Sequence, residues 1–129
     1  MTLDQFSAQP SIGLRTDCYA AVLPKFCKQY AHAHFEIVMR IPASVGLTAP
    51  PSDLSPSPSL LRRYKEQKCT FAEFAAELKK ELFSNPRTLL HMQKLLDLSR
   101  HQLVFLVCCE KDATQCHRSL LKQWMEHDL

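Results

Sequence analysis

The run Leu103-Val-Phe-Leu-Val-Cys-Cys109 constrains this chain more than any other feature. Seven apolar residues follow one another without alternation. A strand with one wet face alternates apolar and polar side chains. A strand that does not alternate is covered on both faces, which implies a parallel sheet with helices on either side. Parallel neighbours cannot be joined by tight hairpins, so helical crossovers must lie between the strands.

The rest of the chain supplies them. Val22, Leu23, Phe26, Cys27 and Tyr30 recur at helical spacing, with Pro24 in the first turn, and predict a helix over 22–31. Phe35 to Ile41 is short, β-branched and stopped by Pro42, which predicts a strand. A further short strand is expected within 11–19. Thr70 and Glu73 have the spacing of a capping box, with Cys69 and Phe74 placed as a hydrophobic staple. Phe71, Phe74, Ala75, Leu78 and Leu82 then share one helical face. Asn85 before Pro86 opens the next helix, whose apolar face is Leu89, Met92, Leu95, Leu96 and Ser99. A last helix begins near Gln115, with His117, Leu120, Leu121, Trp124 and Met125 inward. The order predicts a single α/β domain over 1–129: a small three-layer, Rossmann-like unit whose mostly parallel sheet is flanked by helices.

Two stretches stand outside this pattern. Residues 1–10 read as an exposed, flexible lead-in. Residues 42–59 hold five of the eight prolines and read as a long irregular loop.

Charge is modest, at +3 overall, and local. The segment Arg62-Arg63-Tyr64-Lys65-Glu66-Gln67-Lys68 carries four positive charges and one negative, so the remainder is neutral. A strip of this size suits a phosphate or a few nucleotides, not a broad duplex-binding face. No apolar run approaches the roughly 20 residues that span a bilayer, and no export signal precedes Asp4 and Asp17, so a cytoplasmic protein without membrane association is expected. The six cysteines are then expected as free thiols, with Cys18, Cys27, Cys69 and Cys108 read as core residues.

In open parallel sheets, ligands bind outside the carboxyl ends of the strands. That rule gathers Arg40, Glu110, Lys111, Asp112, Cys116, His117 and Arg118 at one rim. The start of the last helix offers unpaired N–H groups and a positive dipole end, which attract phosphate unless Asp112 or Thr114 caps them. Lys111, Arg118 and Arg40 would add full charges. Cys116, in the first turn, is the candidate nucleophile, against a structural thiol. His117 is a candidate catalytic group, against a satisfied core histidine. Glu110 is the candidate general acid or base, against a salt bridge to Lys111 or Arg118. A phosphatase loop does not fit, because Cys109 and Arg118 are nine positions apart. A zinc site from Cys109, Cys116 and His117 falls short of four ligands, so neither metal nor other cofactor is expected.

Cys-Cys-Glu-Lys-Asp (108–112) followed by Cys-His-Arg-Ser-Leu-Leu (116–121) resembles the C-terminal signature of the domain-of-unknown-function family numbered 488. Arg40-Ile41-Pro42, Leu54-Ser-Pro-Ser57 and Tyr64-Lys65 resemble its upstream segments. The resemblance implies an α/β cytoplasmic domain, with some members associated with base excision of the 3-methyladenine DNA glycosylase kind. Three readings follow. In the first, Glu110 drives glycosidic-type hydrolysis of a nucleotide or nucleic-acid base. Arg40, Lys111 and Arg118 hold phosphate, Tyr64 stacks on a base, and Arg62, Arg63 and Lys65 track a backbone. In the second, the same rim binds a phosphorylated ligand or partner without turnover. In the third, Cys116 serves a thiol-dependent enzyme. Oligomeric state is left open.

Overall fold

The computed structural model describes residues 12–38, 53–108 and 116–129. Three strands form one sheet: β1 (Gly13–Arg15), β2 (His34–Ile37) and β3 (Leu103–Val107). Their spatial order is β1-β3-β2, and both pairings are parallel. The apolar run is therefore the central strand. Gly13 faces Leu103 on one side, and His34 faces Val104 on the other.

Alternation divides β3 between two cores. Val104, Leu106 and Cys108 belong to one buried cluster; Leu103, Phe105 and Val107 belong to another. The second cluster is covered by a short 3-10 turn (Ala20–Val22) leading into α1 (Leu23–Gln29). Phe105, fully buried at its centre, stacks on Phe35 at 5.1 Å and meets Phe26 edge-on at 5.4 Å. The first cluster is covered by α2 (Pro58–Lys65), α3 (Phe71–Phe83), α4 (Pro86–Ser99) and α5 (His117–His127). Both faces of the central strand are dry, as the unalternating sequence demands.

Several expectations shift. The predicted first helix is split into a 3-10 turn and α1, and β2 begins one residue before the predicted strand, whose 39–41 end lies outside the described residues. The irregular segment ends at Ser57 rather than Ser59, because α2 begins at Pro58. The Ser57 hydroxyl accepts from the Leu60 N–H, and Pro58 fills the first helical turn, where a missing N–H is harmless. Reading prolines only as breakers hid this helix. The last helix starts at His117, with Cys116 as its N-cap. Residues 1–10, Arg40, the 42–52 part of the Pro/Ser-rich segment, Glu110, Lys111 and Asp112 lie outside the described residues.

The capping box on α3 is as expected. Thr70 Oγ1 accepts from the Glu73 N–H at 3.1 Å, and Glu73 accepts from the Thr70 N–H at 2.9 Å. Those bonds, the Thr70 backbone N–H first, hold the Glu73 carboxyl below its ordinary value. Thr70→Ala should lower stability by about 1 kcal/mol, read as a lower urea midpoint at unchanged slope.

Candidate functional site

Three strand tips meet the start of one helix. Just after β1, the carbonyl of Thr16 accepts the Arg118 Nε–H at 2.7 Å. Just after β2, the carbonyl of Val38 lies 2.7 Å from His117 Nε2. Just after β3, Cys108 Sγ lies 2.7 Å from Arg118 Nη1. Cys116, His117 and Arg118 thus tie the first turn of α5 to the carboxyl ends of all three strands, the rim that the rule for parallel sheets selects. Side-chain direction explains the convergence. Cys108 continues the Val104, Leu106 face of β3, the face on which α5 lies.

Burial sets the electrostatics. Cys108, Cys116, His117 and Arg118 are each no more than 3% exposed. A carbonyl can only accept, so Nε2 of His117 carries the hydrogen and Nδ1 keeps its lone pair. Nδ1 is 4.0 Å from Cys116 Sγ. Desolvation lowers the His117 pKa to about 4, against the raising effect of the Val38 carbonyl and with a smaller lowering from the Arg118 charge. The imidazole is therefore neutral near pH 7. Arg118, by contrast, is a full charge in the same dry space, and a buried guanidinium favours an anion beside it. The atom its Nη1 meets there is the Cys108 sulfur. Cys18 shows the alternative. It is also buried, and desolvation pushes its thiol up to about 12, with Arg118 opposing only weakly.

The sulfurs of Cys108 and Cys116 are in contact, paired as a disulfide would be, against the expectation of free thiols throughout. Their Cα atoms are 7.8 Å apart. A relaxed disulfide keeps that distance below about 7 Å, so the backbone spacing suits two thiols sharing one site rather than a relaxed bridge. The other cysteines divide differently from expectation: Cys18 is buried, Cys69 half-buried and Cys27 exposed.

Of the residues singled out from sequence, Cys116, His117 and Arg118 come together. Tyr64 is half-buried against the core, its ring 4.7 Å from that of Phe74 and 5.9 Å from that of Phe71. Arg40, Glu110 and Lys111 lie outside the described residues. Sequence reasoning missed Cys108, read only as a core thiol. The missed signal was its position, one step past the end of a central strand. It also missed Ser55, whose hydroxyl donates to the same Val38 carbonyl at 3.0 Å. His34 opens β2 and bonds Glu36 at 2.8 Å. Glu36 also meets His91 at 3.3 Å, and His91 bonds Asp53, forming a half-exposed polar chain.

The N-cap Cys116 makes no side-chain capping bond to the first turn of α5. No helix among the described residues is long and apolar enough to cross a membrane. A family model described as DUF488-N3a, the active DUF488-N3 subclade, matches residues 50–129. That span includes Cys108, Cys116, His117 and Arg118. No curated protein and no solved structure matches the chain.

Proposed function

The chain belongs to the DUF488-N3a family, and on that premise we propose that it is a thiol-dependent enzyme whose nucleophile is Cys108. One observation carries this reading: the Arg118 guanidinium, 1% exposed, lies 2.7 Å from the Cys108 sulfur. A buried thiol without a cation is an inert hydrophobe. With one, it is a thiolate ready to attack. Cys116 is the second thiol of the same site. His117, with a pKa of about 4, is a poor base toward a thiol, so its role is positioning. Its bond to Val38 fixes the first turn of α5 against the tip of β2.

The substrate is a phosphate-bearing small molecule or nucleotide. Support comes from the first turn of α5, whose N-cap Cys116 makes no side-chain capping bond and whose N–H groups suit an anion. Arg40 and Lys111 supply further positive charge, and Glu110 protonates the leaving group. A thiol nucleophile suits a reducing compartment such as the cytoplasm.

The test is a turnover screen on nucleotides and phosphorylated small molecules. Cys108→Ser, nearly isosteric, should abolish activity, and Cys116→Ser should leave a measurable part. Turnover retained in Cys108→Ser but lost in Glu110→Gln overturns this reading in favour of carboxylate-driven, glycosidic-type hydrolysis. Salt-sensitive nucleotide binding with no turnover on any substrate would instead make the rim a non-catalytic phospholigand module.

A further inference from the structure

The same corner of the fold carries a second chemistry. Counting ligands along the sequence takes Cys109 with Cys116 and His117. Strand register puts Cys108 there instead. One ligand atom from each of Cys108, Cys116 and His117 lies within 4.8 Å of the others, and all three residues are buried. We infer that the two sulfurs and His117 Nδ1 form a three-ligand site for a zinc-class divalent cation.

Four features favour that class. Tetrahedral zinc has bonds of about 2.3 Å to sulfur and 2.0–2.1 Å to nitrogen, which puts ligand atoms roughly 3.3–3.8 Å apart. The two sulfurs, now in contact, reach that spacing by turning apart, and His117 Nδ1, 4.0 Å from the Cys116 sulfur, by a small inward adjustment. The imidazole is already oriented: Nε2–H is committed to the Val38 carbonyl at 2.7 Å, so the lone pair is on Nδ1, 4.0 Å from the Cys116 sulfur. A backbone carbonyl holding the remote ring N–H is the usual support for a metal-binding histidine. Positive charge faces both sulfurs: Arg118 stands beside Cys108, and Cys116 is the N-cap of α5, at the positive end of its dipole. Two thiolates neutralise a dication, and a sulfur and nitrogen set selects zinc over calcium or magnesium, which take oxygen.

Three protein ligands leave one coordination position open. The inference shares its sulfurs with the proposed thiol chemistry without resting on it. With the cation bound, the Cys108 sulfur is held as a ligand and is unavailable for attack.

Zinc chloride added to the chelator-treated, reduced full chain should bind at one ion per chain in equilibrium dialysis. Cys108→Ser, Cys116→Ser and His117→Gln should each weaken binding at least tenfold, whereas Cys27→Ser and Cys69→Ser should not. Because a buried variant can fail to fold, the wild-type chain supplies a second readout. Zinc should slow iodoacetamide labelling of Cys108 and Cys116 while leaving Cys27 unaffected, and cobalt(II) should give a sulfur-to-metal charge-transfer band. Absence of stoichiometric zinc, equal protection of Cys27, or binding undiminished by Cys116→Ser would overturn the inference. None of these results bears on whether Cys108→Ser abolishes turnover.

Discussion

Arg118→Met should destabilise the protein by about 3–5 kcal/mol, the cost of removing one partner from a buried charged pair. The guanidinium donates to the Thr16 carbonyl and to Cys108 Sγ at 2.7 Å each, so one side chain links the tips of β1 and β3 to α5. Methionine fills comparable volume but donates nothing, leaving a buried carbonyl short of a donor and a sulfur short of its cation. Urea denaturation reads the loss. A double-mutant cycle identifies its origin. If the Cys108 thiolate is the partner, Arg118→Met and Cys108→Ala together should cost clearly less than the two added separately. Simple additivity would mean that Arg118 acts through its other contacts, the Thr16 carbonyl among them, and not through Cys108. Arg118→Lys keeps the charge but loses the fork that reaches both acceptors, so an intermediate loss is expected.

Stability should also fall as the solution is acidified from pH 6.5 toward pH 4, by about 3 kcal/mol. His117 titrates near its ordinary value of 6.5 in the unfolded chain and at about 4 when folded. Between those values the unfolded chain binds the extra proton, so acid favours unfolding. Above pH 6.5 the imidazole is neutral in both states and the full stability is present. Each pH unit within the window is worth at most about 1.4 kcal/mol, which gives the total. Burial is the main cause: for a cation away from water and beside Arg118, the Val38 carbonyl offsets only part of the cost. His117→Gln retains a donor for the Val38 carbonyl and should flatten the profile across that window, whatever its stability at pH 7. Glu73, whose carboxyl is held low by Thr70, contributes through its own acid loss only below the ordinary carboxylate range, so the two groups separate on the pH axis. A wild-type profile flat between pH 6.5 and pH 4.5 would contradict this account of His117.

Much of the frame was legible because it is local. The capping box at Thr70, the Asn85-Pro86 helix start and the unalternating β3 each depend on residues within a turn or a strand of one another. Helix α2 was equally local and was overlooked, since Ser57-Pro58 reads as a loop when prolines are taken only as breakers. The gathering of Cys116, His117 and Arg118 at the strand ends was legible too, because it follows from parallel topology rather than from any one contact.

What the sequence by itself determined, then, is a central parallel strand covered on both faces and a chemically loaded corner at its carboxyl end. Only the tertiary structure decided which sulfur stands beside the charge. Arg118 meets Thr16 across 102 positions, and His117 meets Val38 across 79. Periodicity assigns a side chain to a face, but it does not carry the depth of a residue or the partner that chain closure brings to it. Cys108 therefore reads as one more small hydrophobe until the fold places a buried guanidinium against it.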